Sequence, residues 1–479
     1  MPAQVIPMVR KGSECFEEEP WQAPYLEFLS GRLVDMVNRS SMEKLSDITS
    51  ALFSDKTEIL GELALVLIKK RYRHLLDQEQ CACPQCGKVL KRRGFHKRQV
   101  ETMVGAFELE RPYFYCVPCE KGFYPLDATL GLSPSARQHD VQETAAWLAA
   151  ELPFNLASEA LERCTGIAFS PSGIHECVDR IASELGPEEV CPSRAEVEEK
   201  IATFSEGKRC RPVMMLTVDG ANAPVRPEPS PRKGKRGKGE YKEVKGLRLY
   251  LVDGQRIEQL VSWHQIGSDQ ELSATLRTIK DAGLVPEKRV RLCVVADGAA
   301  WIWNRVKEIF PKAREVLDYF HCSEHLHELA AAQYGKGTLK ALEWVQATQL
   351  RLFLKQKRHV IAGIKRMKPA SSEAARLIDK TAAYLQKHSN RLDYGSARRG
   401  GYHIGSGAIE SANKLICHTR LKRPGAWWYP TKANNILKLR CAKYNQTFAR
   451  VIKRHRDRDS KSISENGPHH SLQRPDGHA

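Results

Sequence analysis

A chain of 479 residues is longer than one hydrophobic core usually serves, and at roughly 150 residues per unit it suggests about three structural units. Its composition, 42% hydrophobic and 28% charged, is that of a folded protein; apolar runs such as Leu63 to Ile68 fall far short of the roughly 20 residues a membrane helix needs, and no basic-then-apolar signal opens the chain. A membrane or secreted protein is thereby excluded, a cytoplasmic one is expected, and 75 Lys and Arg against 57 Asp and Glu, a formal charge of +18, point to polyanionic partners with nucleic acid first.

Residues 22–80 predict helices, because Leu26, Phe28, Leu29, Leu33, Val34 and Val37 recur at three-to-four-residue spacing. Between Cys81 and Pro125 short alternating runs around Gly94 and Gly105 predict small hairpins with cysteines at their ends. Helical spacing returns from Ser133 to Phe204, broken at Gly166 and restarted at Ser170-Pro171, which suits a cap and a first helical position. After Cys210 the order is a strand (Val213 to Val218), a basic loop, two strands joined at Asp253-Gly254, then helix, strand, helix, strand up to Tyr319. Residues 323–400 read as helix alone, Gly405-Ser406-Gly407 opens another helix with Ser406 as its cap, and the chain beyond Ser460 reads as a disordered polar tail. The expected division is a helical region at 1–80, a small ribbon at 81–130, a helical unit at 131–207, a mixed α/β core at 208–425 with a helical insertion at 323–400, and a basic segment at 426–479.

Fourteen cysteines in a chain without an export signal favour metal binding over disulfides wherever they cluster. Cys83-x-x-Cys86 and Cys116-x-x-Cys119 supply four thiolates at the spacing of one structural tetrahedral Zn²⁺ site, the alternatives being redox pairs or unrelated buried thiols; Cys81 is a spare. The ribbon between them carries Arg92, Arg93 and Lys97, which can meet phosphates. The helices across Gly166 are compatible with a helix-turn-helix or with plain packing.

Three Asp-Gly pairs follow apolar strands. Asp253 lies between two strands and reads as a hairpin turn, whereas Asp297 sits at a strand's carboxyl end, where ligands gather in α/β sheets. Asp219 closes the first strand and can project beside Asp297, with Glu410 joining from the late helix. Such a trio can hold two Mg²⁺ ions, or Mn²⁺ in their place, for phosphodiester chemistry; scattered surface acids are the alternative. His321 and His325, four apart, could bind a metal, orient a carboxylate or contact a DNA backbone. The stretch from Arg226 to Arg248 holds nine basic and three acidic residues, among them Lys233, Lys235 and Arg236, and can track phosphates beside Asp219. Trp427 and Trp428 read equally as base-stacking or core residues.

Several of these stretches together resemble the Kra-type family of bacterial insertion-sequence DDE transposases, related to the Mutator-like group. They are Cys83-Pro-Gln-Cys86-Gly, Tyr113-Phe-Tyr-Cys116-Val-Pro-Cys119, Glu151-Leu-Pro-Phe154, Val218-Asp219-Gly220, Ala296-Asp-Gly-Ala-Ala-Trp301-Ile-Trp303, Leu317-Asp-Tyr-Phe-His321 and Gly405-Ser-Gly407 leading to Glu410. The resemblance spans about Cys83 to Arg440. It implies a multi-domain α/β protein whose core is ribonuclease H-like, with Asp219, Asp297 and Glu410 as the catalytic, Mg²⁺-binding triad. Asp318 and His325 would be accessory residues. Lys414 is read as a further accessory residue from its spacing alone, one turn beyond Glu410 on the same helical face. The expected partners are double-stranded DNA, as element ends and target, and further copies of the chain on that DNA, in a bacterial nucleoid-associated setting. The long basic loop departs from the family pattern.

Overall fold

The computed structural model describes residues 23–38, 43–228 and 237–466. The chain divides into two compact units, one of Met1–Ala145, Ala157–Pro171 and Arg454–Ala479, the other of Ala146–Leu156 and Ser172–Lys453. Lys233, Lys235 and Arg236, and the tail beyond 466, lie outside the described residues.

In the first unit the helices Ala23–Val37 and Leu45–Arg71 precede an antiparallel sheet of β1 (Gln80–Ala82), β2 (Val89–Thr102), β3 (Gly105–Cys116) and β4 (Lys121–Phe123), ordered as numbered. Instead of several small hairpins, β2 and β3 form one long one, paired from Thr102 and Gly105 back to Arg92 and Phe114 with a single slip between Arg92 and Gly94. Its length follows from the alternation: Val100, Phe107 and Leu109 all face a core shared with Leu65 and Leu126. The helix Leu45–Arg71 comes so close to β3 that a Cβ on Gly105 would lie 1.8 Å from the Thr57 carbonyl oxygen and one on Gly61 2.8 Å from that of Ala106.

The second unit holds a five-stranded mixed sheet. Its strands are β5 (Val213–Val225), β6 (Glu240–Asp253), β7 (Arg256–Ile266), β8 (Arg291–Ala296) and β9 (Arg314–Leu317), in the order β7-β6-β5-β8-β9. β5, β6 and β7 are antiparallel neighbours, and β8 and β9 run parallel to β5 through the crossover helices Asp269–Asp281 and Ala300–Ile309. The expected helical stretch is present as Tyr319–Tyr334, Leu339–Phe353, Lys357–Lys365, Ser372–Lys387 and Tyr394–Arg399.

Three boundaries differ from expectation. β5 runs on to Val225 and β6 begins at Glu240, so Asp219 lies inside its strand and much of the basic stretch is ladder rather than loop. Small buried residues, Ala221, Ala223 and Val225, extend β5, while the charges of residues 240–243 stay exposed and disguise the matching part of β6. The segment after Ser460 continues the helix Phe448–Asn466 instead of beginning a disordered tail. Trp428 is core: it is buried, bridges Val225 through the backbone and donates its indole N–H to the Leu421 carbonyl at 3.2 Å, whereas Trp427 is partly exposed.

Candidate functional site

β5 and β8 are parallel neighbours in which Val218 pairs with Ala296, so the next residues, Asp219 and Asp297, stand at the same level. β5 continues there because β6 still pairs with it, whereas β8 ends and turns into the helix Ala300–Ile309. That turn is held by its own residues: the Asp297 carboxylate accepts the Ala299 N–H at 2.9 Å, and the buried Trp303 donates its indole N–H to the Asp297 carbonyl at 2.8 Å.

Glu410 arrives from the short helix Gly407–Ala412. Contrary to expectation, Ser406 does not cap that helix through its side chain: its hydroxyl reaches the Glu410 carboxylate at 3.3 Å and its backbone N–H donates to the Asp318 carboxylate. Fully buried Asp318 also accepts the His321 N–H at 2.8 Å, so it joins the end of β9 to the segment that carries Glu410. Burial opposes ionisation of Asp318, but the hydrogen bonds from His321 and Ser406 outweigh it and hold its pKa below the usual value. Asp318 in turn raises His321 to about 9 against the effect of burial.

Asp219 is pushed up to about 6, first by burial and then by the negative charges of Asp297 and Glu410, with the Gly220 N–H and His321 pulling the other way. The three acids thus share one electrostatic neighbourhood. Their oxygens do not close to within 4.8 Å of one another, so they are not a cage for a single ion. Asn413, which opens the π-helical stretch Asn413–His418, donates its amide to Asp219 at 2.8 Å while its oxygen accepts the His264 imidazole N–H at 2.9 Å. Neither Asn413 nor His264 was signalled by the sequence; lone Asn and His residues carry no pattern.

His325 packs on Tyr384 with ring centroids 4.3 Å apart, and burial lowers its pKa. It and His321 face different partners, Glu328 at 3.9 Å and Asp318 at 3.4 Å. Lys414 is exposed, next along the chain from buried Asn413. Asp253 occupies its hairpin turn and pairs with Lys208 at 2.6 Å.

The four cysteines Cys83, Cys86, Cys116 and Cys119 converge and could hold one zinc ion. The Cys86–Cys116 and Cys83–Cys119 sulfur separations, 3.6 and 4.0 Å, bracket the ~3.8 Å edge of a tetrahedron with ~2.3 Å Zn–S bonds. Backbone N–H groups, that of Cys86 foremost, lower Cys83 to about 7, whereas burial raises Cys116 and the neighbouring Cys86 thiol raises Cys119 to about 12. Cys81 packs against this cluster without joining it. On β2, Arg93 and Lys97 are exposed, with Lys97 paired to Glu108 at 2.7 Å, while half-buried Arg92 donates to the Gln78 carbonyl at 3.3 Å.

A second cluster, His139, His455 and Asp459, is buried in the first unit and was not foreseen. Arg458 lies 3.1 Å from Nδ1 of His455; its donation there leaves the ring hydrogen on Nε2, which gives it to Gln142 at 2.8 Å. With His139 hydrogen-bonded to Asp459 at 3.0 Å, this is a satisfied hydrogen-bond network.

Among the described residues, no helix is long and apolar enough to cross a membrane. No family model matches the chain. A curated relative from Streptococcus gallolyticus, described as "UPF0236 protein in vanSb 3'region", is 23% identical over 416 residues, which is 84% of each chain. Its description does not support the Kra-type group that the motifs resemble. Among solved structures, the Drosophila P element transposase strand transfer complex aligns over 69% of this chain and 81% of that one at 13% identity, with a TM-score of 0.25, too low to carry an argument about fold or function.

Proposed function

We propose that the chain is a DNA transposase that cuts at element ends and joins the freed 3′-hydroxyl to target DNA, using a ribonuclease H-like core in which Asp219, Asp297 and Glu410 are the catalytic acids. The observation that carries this reading is the meeting of the three: two carboxylates at adjacent parallel strands stand at one level, and a third, delivered after an all-helical segment, adds to the field that raises Asp219. An acid raised by burial and by two acidic neighbours is a group that a divalent cation would return to its charged form. When bound there, Mg²⁺ or Mn²⁺ would supply the activation of the attacking oxygen and the stabilisation of the leaving oxygen.

The chain's own residues set the geometry. Asp318 holds Ser406, Ser406 orients Glu410, and Trp303 braces the turn after Asp297. His321, cationic beside Asp318 and half-exposed, is a phosphate contact near the acids. The cysteine cluster holds a structural Zn²⁺, and the ribbon residues Arg92, Arg93 and Lys97, with Lys233, Lys235, Arg236 and Lys414, meet DNA backbone; double-stranded DNA and further copies of the chain are the partners.

The test is cleavage and joining of DNA that carries the element's own ends. Asp219→Asn, Asp297→Asn and Glu410→Gln should each reduce Mg²⁺-dependent nicking at least a thousandfold while end binding persists, and Asp253→Asn should cleave as the unaltered protein does. Nicking without joined products would assign a nuclease instead, and normal cleavage by Glu410→Gln would remove Glu410 from the site.

A further inference from the structure

Across the antiparallel ladder Asp219 pairs with Gly246, and Gly246 with His264, so the three residues form one row over β5, β6 and β7. Gly246 is buried, and its lack of a side chain matters. A Cβ there would lie 2.7 Å from His264 Nε2 and 2.8 Å from Asn413 Oδ1, so the space above the middle strand is already taken by the bond between those two groups. The Asn413 amide therefore spans from the first strand of the row to the third, donating to Asp219 and accepting from His264.

An amide can rotate and exchange its donor and acceptor ends, but here one orientation is enforced. The Asp219 carboxylate can only accept, so the amide turns its NH₂ to it and its oxygen to buried His264, whose Nε2 then carries the ring hydrogen and donates it while Nδ1 has no hydrogen-bond partner. That leaves the Asn413 NH₂ facing the Asp219 carboxylate, where it orients one oxygen while adding no charge that would compete with a cation. Asn413 also stands three residues after Glu410, so the same helical segment brings in one carboxylate and the clamp for another.

We propose that Asn413, locked by His264 over Gly246, is a positioning residue that sets Asp219 for divalent-metal binding and registers the Glu410 segment against the sheet. This rests on the reading of Asp219 as a metal ligand. Losing such an outer partner typically weakens metal affinity about 10–100-fold.

The experiment is Mn²⁺ binding to the full chain, followed by calorimetry and by the spin-resonance signal of the free ion, with no DNA and no turnover. Asn413→Leu, close in shape but unable to bond, and Gly246→Ala, which displaces the amide, should each weaken Mn²⁺ binding at least tenfold. Val345→Ala, in the core of the helical segment, controls for lost stability and should bind Mn²⁺ as the unaltered protein does. If Asp219→Asn abolishes Mn²⁺ binding but Asn413→Leu binds within twofold of the unaltered chain, Asn413 does not position the ligand and the proposal falls while the acidic site stands. If Asp219→Asn itself binds Mn²⁺ normally, the acidic site is wrong and the proposal falls with it. An equal loss in Val345→Ala would make the effect one of stability alone and would also overturn it.

Discussion

His264 is a buried titratable group beside the second unit's acids, and burial depresses its pKa to about 4 from an ordinary 6.5. Between those values the unfolded chain takes up a proton that the folded chain refuses. Stability from this residue is therefore complete above pH 6.5 and is lost as pH falls toward 4, by up to about 3 kcal/mol for a shift of this size. Replacing His264 by Gln keeps a donor for Asn413 and removes the titration. Thermal unfolding followed from pH 7 to pH 4 should therefore show a flatter acid limb in His264→Gln; an unchanged limb would place the sensitivity elsewhere. Neighbours set this behaviour, since the same imidazole on an exposed face would titrate ordinarily.

At the scale of elements, two short pieces are held in place by interactions that no periodicity announces. The π-helical stretch Asn413–His418 widens the backbone ring and frees carbonyls, and buried Arg440 of the helix Pro430–Tyr444 donates to those of Leu415 and Ile416 while pairing with Glu151 at 2.6 Å. The knuckle end of the ribbon has only a small cluster around Leu90, Phe114 and Phe123 to bury, so the metal must supply what the core does not. The purified chain is accordingly expected to carry about one zinc per chain by metal analysis, and Cys116→Ser, altering a fully buried ligand, to carry nearly none and to lose protease resistance between Gln80 and Phe123. A zinc-free native chain, or full zinc in Cys116→Ser, would refute the site.

For the whole molecule the charge of +18 would make the proposed DNA binding a matter of counterion release, so affinity should fall steeply and log-linearly with salt. Each phosphate contact adds roughly 0.9 to that slope. Removing Arg93 and Lys97 together should reduce the slope by about one to two, nearer one if the Glu108 pair already occupies Lys97. Binding measured by fluorescence anisotropy over a series of salt concentrations decides this, and an unchanged slope would take the ribbon off the DNA.

Much of the architecture was legible from local pattern alone. Helical spacing marked the N-terminal helices and the all-helical stretch, Asp253-Gly254 marked its hairpin, and paired CxxC spacing marked the cysteine cluster, because each depends on residues near one another in sequence or on a ligand chemistry with few alternatives. Among the three Asp-Gly pairs, Asp253 was set apart by the apolar run that follows it at once. What strand order alone decided is that Asp219 lies level with Asp297, because β8 pairs in parallel with β5. Strand ends at Val225 and Glu240 were hidden for the same reason, as pairing partners rather than composition extend a ladder. Asn413 and His264 are 149 residues apart, Gly246 is farther still from Asn413, and the three share no motif. Only the tertiary structure could join them, since a hydrogen-bonded row across three strands is set by register, and register is a property of the folded sheet.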